Sequence, residues 1–307
     1  MFLSGIAITA GYHRLYSHSC YKAHPIIEWC FLFFGTLATQ GSVLQWAHDH
    51  RLHHSYVDTD KDPYSVKKGL LHAHVLWMFY YSEPVDMKIV SDLSRRKILM
   101  FQHRFYPACM LFTNILIFVI VGWFFSDYLT AFIFAWWVRL FLLHHTTWCI
   151  NSLAHYWGTK HYSQEHSAVD NYLISLLTYG EGYHNYHHAF AYDYRNGIRW
   201  YHFDPSKWLI WFLHKIGVAY NLKRVNDYRI ARHLLLQHKD ELVKKLKESI
   251  YTQKVSDLAE SLSDKLAEMQ KMLDPEQLKS MKKSIKADWK EWRLILKEIR
   301  KEHLLKA

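Results

Sequence analysis

Apolar positions are spread unevenly along this chain, and the unevenness predicts its elements. Ala108 to Phe125 is uncharged throughout and approaches the roughly 20 residues that a helix needs to cross a bilayer. Ser126-Asp127 follows as a short turn, and a second apolar stretch runs from Tyr128 to about Ile150 with Arg139 inside it. Two spans joined this tightly form an antiparallel hairpin, at about 108–150, so the chain leaves and returns on one side. Residues 1–12 are apolar with no basic stretch before them, which argues against a signal peptide. They read as the end of a spanning helix, with the first membrane hairpin largely missing from an N-terminally truncated chain. Residues 26–47 are apolar but interrupted by Glu28, Gln40 and Gln45, a poor spanning helix. Residues 65–107 mix aromatics with Lys67, Lys68, Lys88, Arg95, Arg96, Lys97 and Arg104, which suits a surface under anionic headgroups and makes that side cytoplasmic. Beyond about 220, Leu258, Leu262, Leu266, Met269 and Leu273 recur at helical spacing among Lys and Glu, until Asp274-Pro275 begins another helix. The pattern predicts an all-α chain: an integral membrane helical domain over 1–219 and a charged helical C-terminal tail over 220–307.

Composition changes this picture at one residue type. The chain has 307 residues, half of them hydrophobic, and a formal net charge of +10. A basic balance suits nucleic acid, anionic lipid or an anionic substrate. The aromatics lie in apolar runs and no nucleic-acid signature is present, so the expected partner is the lipid bilayer and not nucleic acid. Cys20, Cys30, Cys109 and Cys149 are widely spaced without a C-x-x-C and read as reduced, small apolar side chains. Histidine is the outlier: there are 23, and they cluster.

His13 and His18 form H-x-x-x-x-H just after the first apolar run; such a pair converges on one metal if the helix loosens there. His50, His53 and His54 form H-x-x-H-H, with positions i, i+3 and i+4 on one helical face, so three imidazoles point into one small volume. His184, His187 and His188 repeat that spacing. Thr147, Asn151 and His155 fall four apart on one stripe, where His155 adds a ligand and Asn151 is suited to hold a metal-bound water. Nine neutral imidazoles packed without a metal would leave nitrogens unsatisfied, and protonated they would repel. The set suits iron, zinc or copper. It exceeds what one ion accepts, so two ions with open or water-filled positions are expected, an arrangement suited to oxygen chemistry. His24, His72, His103, His161, His202, His214, His233, His238 and His303 read as surface or satisfied core residues, and His144-His145 as side chains reaching a backbone carbonyl inside the second span. Arg14, Asp49, Arg51, Asp58, Asp60 and Glu181 neighbour the ligands, the carboxylates as candidates to orient imidazoles.

Four stretches carry a resemblance: Gly11-Tyr-His-Arg-Leu-Tyr-Ser-His18; Trp46-Ala-His-Asp-His-Arg-Leu-His-His54 with Asp62-Pro63; Thr147-Trp-Cys-Ile-Asn-Ser-Leu-Ala-His155; and Gly180-Glu-Gly-Tyr-His-Asn-Tyr-His-His188 with Asp193-Tyr194. In that order, over about residues 5 to 230, they resemble the membrane fatty-acid desaturase family in its acyl-CoA delta-9 (stearoyl-CoA) branch. Arg195 to Pro205 looks like the bacterial type. The resemblance implies a four-helix membrane domain under a cytosolic helical cap, with a di-iron centre held by His13, His18, His50, His53, His54, His155, His184, His187 and His188, and by Asn151 through water. It implies an acyl tunnel bent by Gln40, Trp46, Thr147 and Trp148, and no catalytic residue beyond the metal centre. The implied reaction introduces a cis double bond, at delta-9, into a long saturated acyl chain of an acyl-CoA or acyl-lipid. It uses two Fe2+ ions, O2 as co-substrate and a separate electron donor of the ferredoxin, rubredoxin or cytochrome b5 type. The implied location is a multi-pass protein of a bacterial inner membrane with its active site on the cytoplasmic face. Competing readings are an acyl-lipid desaturase, an alkane- or sterol-type di-iron hydroxylase and a zinc-dependent membrane hydrolase. The chain departs from animal members at Gly41 and His48, where those have Asn and Arg, and at Tyr81-Ser82, where they have an Arg-Lys pair that meets the CoA phosphates.

Overall fold

The computed structural model describes residues 1–80, 83–246, 249–272 and 274–301; Tyr81-Ser82 and Leu273 lie outside the described residues. Helices dominate, joined by a two-residue antiparallel pairing of Lys22–Ala23 with Ala219–Tyr220. The chain divides into two compact units, Met1–Arg224 and Val225–Ala307.

In the first unit, α1 (Phe2–Ile6) runs directly into wider, π-helical turns over Ala7–Ser17, buried along their whole length. The apolar run 26–47 proves to be two elements, α2 (Pro25–Leu37) and most of the first half of α3 (Val43–Tyr56). Thr39 and Gly41 divide them, with left-handed φ of 59° and 90°. Ser42 then starts α3 by accepting a 3.2 Å hydrogen bond from the Gln45 amide.

Among the described residues two helices are long and apolar enough to cross a membrane: α4 (Tyr106–Phe125), with mean hydropathy 2.3, and the span Tyr128–His155, with mean hydropathy 1.2, which contains α5 (Arg139–Asn151). Ser126 turns the chain between them at φ 54°, and the Asp127 carboxylate caps the second by accepting from the Thr130 amide at 2.9 Å. Phe112, Trp123, Phe124, Trp137 and Phe141 stand on this pair with 61–73% of their surface exposed, an apolar surface larger than scattered exposed residues provide.

Arg139 does a specific job inside that span. Its guanidinium donates to the Leu37 carbonyl at 2.9 Å and to the Asn114 side chain. His144 Nε2 meets the Ala38 carbonyl at 2.9 Å, the backbone contact expected of it. These carbonyls close α2, where the helix supplies them no partner, so the turn at 38–42 is pegged to α5. The last ligand-bearing element, α6 (His184–Ala189), is a short buried helix.

The second unit consists of α7 (Asp227–Leu246), α8 (Ile250–Met269) and α9 (Pro275–Lys301). Ser249 starts α8 by accepting from the Tyr251 amide at 3.3 Å. Leu262, Leu266 and Met269, picked out by their spacing, are buried together with Ile285, Trp292, Ile295 and Ile299 of α9.

Candidate metal centre

The cap at Ser42 fixes the phase of α3, and that phase decides where its histidines point. A helix advances roughly 100° per residue. His50 and His54 therefore lie about 40° apart, while His53 falls on the far side of His50, about 100° from His54. The structure obeys this division. His50 and His54 join His13, His18 and His187 in one group, while His53 joins His155, His184 and His188 in another, with ligand nitrogens in each group within 4.8 Å of one another. α6 divides the same way, His184 and His188 together and His187 apart. This refines the expectation that each H-x-x-H-H points three imidazoles into one small volume: within that volume the spread divides them between two adjacent points.

His18 reaches the first group because its helix is wide. Its amide bonds to the His13 carbonyl, five residues back, at 3.1 Å, and Ser17 Oγ bonds to the Tyr12 carbonyl at 2.8 Å. His155 arrives by another route than the expected stripe. α5 ends at Asn151, and one 3-10 turn, Leu153–His155, carries the ring in.

The ring nitrogens are sorted. Inward, Nε2 faces Nε2: His13 to His187 at 3.0 Å, His187 to His54 at 2.9 Å, His18 to His50 at 2.8 Å, His188 to His184 at 3.1 Å and His53 to His188 at 3.3 Å. Outward, His13 Nδ1 meets Glu181 at 3.0 Å and His53 Nδ1 meets Asp62 at 2.9 Å. His155 Nδ1 meets Ser167 Oγ at 2.8 Å, and that hydroxyl donates to Asp58 at 2.6 Å. An Nδ1–H engaged outside leaves the Nε2 lone pair pointing in. Burial first, then the neighbouring imidazoles, hold His18, His50, His54, His187 and His188 well below the usual histidine range, and His184 is pushed down to about 3. Neutral rings thus present lone pairs to one another, and the buried His155 Nε2 has no partner. A cation in each group resolves this, so the donors fit two transition-metal ions.

Glu181 is held by a buried network. Burial pushes its carboxyl up, but His13 and Arg14 outweigh that and hold it at about 2. Arg14, with none of its surface exposed, donates to Glu181 at 2.9 Å, to Asp204 at 3.1 Å and to the Tyr194 carbonyl at 2.9 Å. Two glycines flank Glu181 at close approaches of the chain. Gly180 sits at φ 100°, where a Cβ would lie 2.5 Å from Asp204 Oδ1, and a Cβ on Gly182 would lie 2.2 Å from the Ser175 amide.

Of the charged neighbours expected to matter, Glu181 touches a ligand and Asp58 acts through Ser167. Asp49 instead meets His48 Nδ1 at 2.9 Å, the Asp60 carbonyl accepts from Lys68 at 2.9 Å, and Arg51 pairs with Asp92 at 2.7 Å. Asp62 belongs to the second motif stretch but the sequence gives it no role, and Ser167 is not marked at all. Asp62 had a signal, an Asp-Pro pair shortly after the second cluster; Ser167 had none. His74 was also missed: it meets His145 Nδ1 at 3.0 Å and Ser152 Oγ at 2.9 Å, outside both groups.

A cavity of about 260 Å3 reaches both groups, lined by His13, His50, His53 and His184. Gln40, Trp46, Thr147, Trp148 and Asn151 line it too. Gln40 Nε2 donates to Thr147 Oγ1 at 2.9 Å across the turn that Arg139 and His144 peg. Trp46 stacks on His50 with centroids 5.0 Å apart.

The fatty acid desaturase family model matches residues 1–224. Acyl-CoA desaturase 1 of Saccharomyces cerevisiae is 41% identical over 246 residues, 79% of this chain and 48% of that one. A probable acyl-CoA desaturase of Schizosaccharomyces pombe is 44% identical over 237 residues, 76% of this chain and 50% of that one. The human stearoyl-CoA desaturase is 34% identical over 240 residues, 76% of this chain and 67% of that one. The chain thus spans about half the length of the two yeast relatives, and these fungal and human relatives lend no support to a bacterial type. A family model matched across the first unit, and residues of all four motif stretches gathered around one cavity, identify this chain as a member of the fatty acid desaturase family.

Proposed function

We propose that this chain desaturates a long saturated acyl chain presented as an acyl-CoA, introducing one cis double bond at delta-9 with O2, two electrons and two protons, and releasing two waters. The observation that carries the reading is one cavity lined by rings of both imidazole groups and by the hydrogen-bonded pair Gln40 and Thr147. The names of the relatives, acyl-CoA and stearoyl-CoA desaturases, support the carrier. His13, His18, His50, His54 and His187 would hold one iron; His53, His155, His184 and His188, with Asn151 through water, the other. Iron would supply the oxidising power that no side chain has for removing hydrogen from an unactivated methylene.

The protein's own part is positional. Glu181, Asp62 and the Ser167–Asp58 pair keep Nδ1 protonated and Nε2 free. Gln40, Trp46, Thr147 and Trp148 bend the acyl chain and bring two adjacent methylenes beside the centre. The apolar wall excludes water from the reacting carbons. Electrons come from a separate donor of the ferredoxin, rubredoxin or cytochrome b5 type. In this reading α4 and the span Tyr128–His155 cross the bilayer and the histidines face the cytoplasm.

The test is expression of the chain in a host lacking its own desaturase, with total fatty acids analysed by gas chromatography–mass spectrometry and iron measured on the purified protein. A cis-monounsaturated acid with its bond at carbon 9, absent from a His53→Ala variant, is the expected result. A hydroxylated product from an iron-loaded chain would replace the reading with the hydroxylase, and hydrolysis by a zinc-loaded chain with no O2 consumed would replace it with the hydrolase.

A further inference from the structure

We infer that the second unit carries a binding site for a phosphate-headed acyl amphiphile, in the hollow between α9 and the ends of α7 and α8. The inference does not depend on the proposed reaction.

The hollow holds about 440 Å3, and its walls are of two kinds. Tyr228, Met269, Ile285 and Trp289 form an apolar floor, all packed into or against the core of the unit. Lys282, Lys286, Lys290 and Arg293 form the rim. Their spacing of four, four and three keeps the rim cations on one face of α9, over roughly 16 Å of helix. All four are exposed, and none has a hydrogen-bond or ion-pair partner among the described residues. Asp288, on the same stretch, is already taken by Lys265 at 2.6 Å.

The charge is concentrated. α9 has nine Lys and Arg against four Asp and Glu, whereas α8 has two against four. Four adjacent unpaired cations repel one another, and a doubly charged phosphate relieves that repulsion. An inorganic anion would leave the apolar floor in water. A phosphate head attached to an acyl chain satisfies both, because its first methylenes cover Trp289 and Ile285 while the phosphate meets the rim. Two sources carry both parts: an anionic phospholipid of the membrane that α4 is apolar enough to enter, whose phosphate lies near its acyl chains, and an acyl-CoA, whose apolar pantetheine methyls and methylenes, rather than its acyl chain, would lie beside the phosphates on that floor.

The experiment uses the full chain in phosphatidylcholine nanodiscs. Lysine reactivity toward an amine-labelling reagent is read residue by residue by mass spectrometry as dioctanoyl phosphatidic acid, octanoyl-CoA, dioctanoyl phosphatidylcholine or inorganic phosphate is titrated in. Lys244 and Lys245 of α7 serve as internal references. The expected result is protection of Lys282, Lys286 and Lys290 by one or both phosphate-headed amphiphiles, at concentrations where phosphatidylcholine and inorganic phosphate give none. The amphiphile that protects at the lower concentration identifies the source. A Lys286→Gln/Arg293→Gln variant should raise the concentration for half-protection of Lys282 and Lys290 about tenfold or more, since each surface cation contributes severalfold. A Trp289→Ala variant should raise it severalfold, and unchanged helical content by circular dichroism confirms that each variant is folded. Equal protection by inorganic phosphate or phosphatidylcholine, no protection, or protection indifferent to the double substitution would each overturn the site. If a variant fails to fold, the wild-type comparison of the four ligands decides alone.

Discussion

The two imidazole groups share helices and differ in how they are supported. The first gathers five rings, and its outer tie is Glu181, a carboxylate locked by the buried Arg14. The second gathers four rings; its outer ties are Asp62 and a serine relay to Asp58. Five rings would come near to filling the shell of one ion, whereas four would leave an ion more open. The first group is also welded to the fold through an ion-paired network, so damage there should reach stability as well as chemistry. The second is held by lighter contacts, so damage there should stay local.

The largest effect that would break this comparison comes from two neighbouring residues in opposite groups. His187→Ala and His188→Ala should each lower product formation by more than about 100-fold, beyond the 10–100-fold typical of partners behind the ligands. Each variant should keep about half of the metal, measured by plasma emission on purified protein. Loss of all metal from either would mean the groups are one cooperative site. Next come the outer ties. Glu181→Gln and Asp62→Asn should each reduce iron affinity or turnover by about 10–100-fold. Only Glu181→Gln should also lower unfolding stability, by about 1–3 kcal/mol, because it removes one of the two carboxylates paired with the buried Arg14 and leaves Asp204 alone to compensate it; equal losses for both in a denaturant titration would erase the distinction. Ser167→Ala removes one hydroxyl from the His155 relay and should cost about 1 kcal/mol, seen as a few-fold loss in turnover. The smallest change in rate belongs to Thr147→Val, which removes the Gln40 contact without altering volume much. Its signature is qualitative: a mixture of double-bond positions in the product, with iron content unchanged.

What could be read from the sequence followed what helical periodicity encodes. The nine ring residues, the tight turn at Ser126-Asp127 and the core of the second unit at Leu262, Leu266 and Met269 are all periodic or clustered features, and all were legible. The sorting of rings into groups was not. It depends on the difference between i+3 and i+4, and on a helix that leaves the regular phase before His18. His155 was placed on the right element's end but by the wrong geometry, because a 3-10 turn follows Asn151. Ser167 and His74 are isolated in sequence and meet their partners only through tertiary contact. Asp62 lay in plain view beside Pro63, yet nothing local distinguishes a carboxylate that reaches a ring from one, like Asp49, that turns to its neighbour His48.

The wide turns over Ala7–Ser17 bear on whether this centre can be moved to another scaffold. On a regular helix, residues five apart point about 140° away from each other, whereas residues four apart are offset by about 40°. Grafting His-x-x-x-x-His onto a standard bundle would therefore send one ring to solvent. A designer must either delete one residue between His13 and His18 or import the π-helical segment with its buried neighbours. The five-residue spacing and the helix that carries it form one transferable part, and neither works as a template alone.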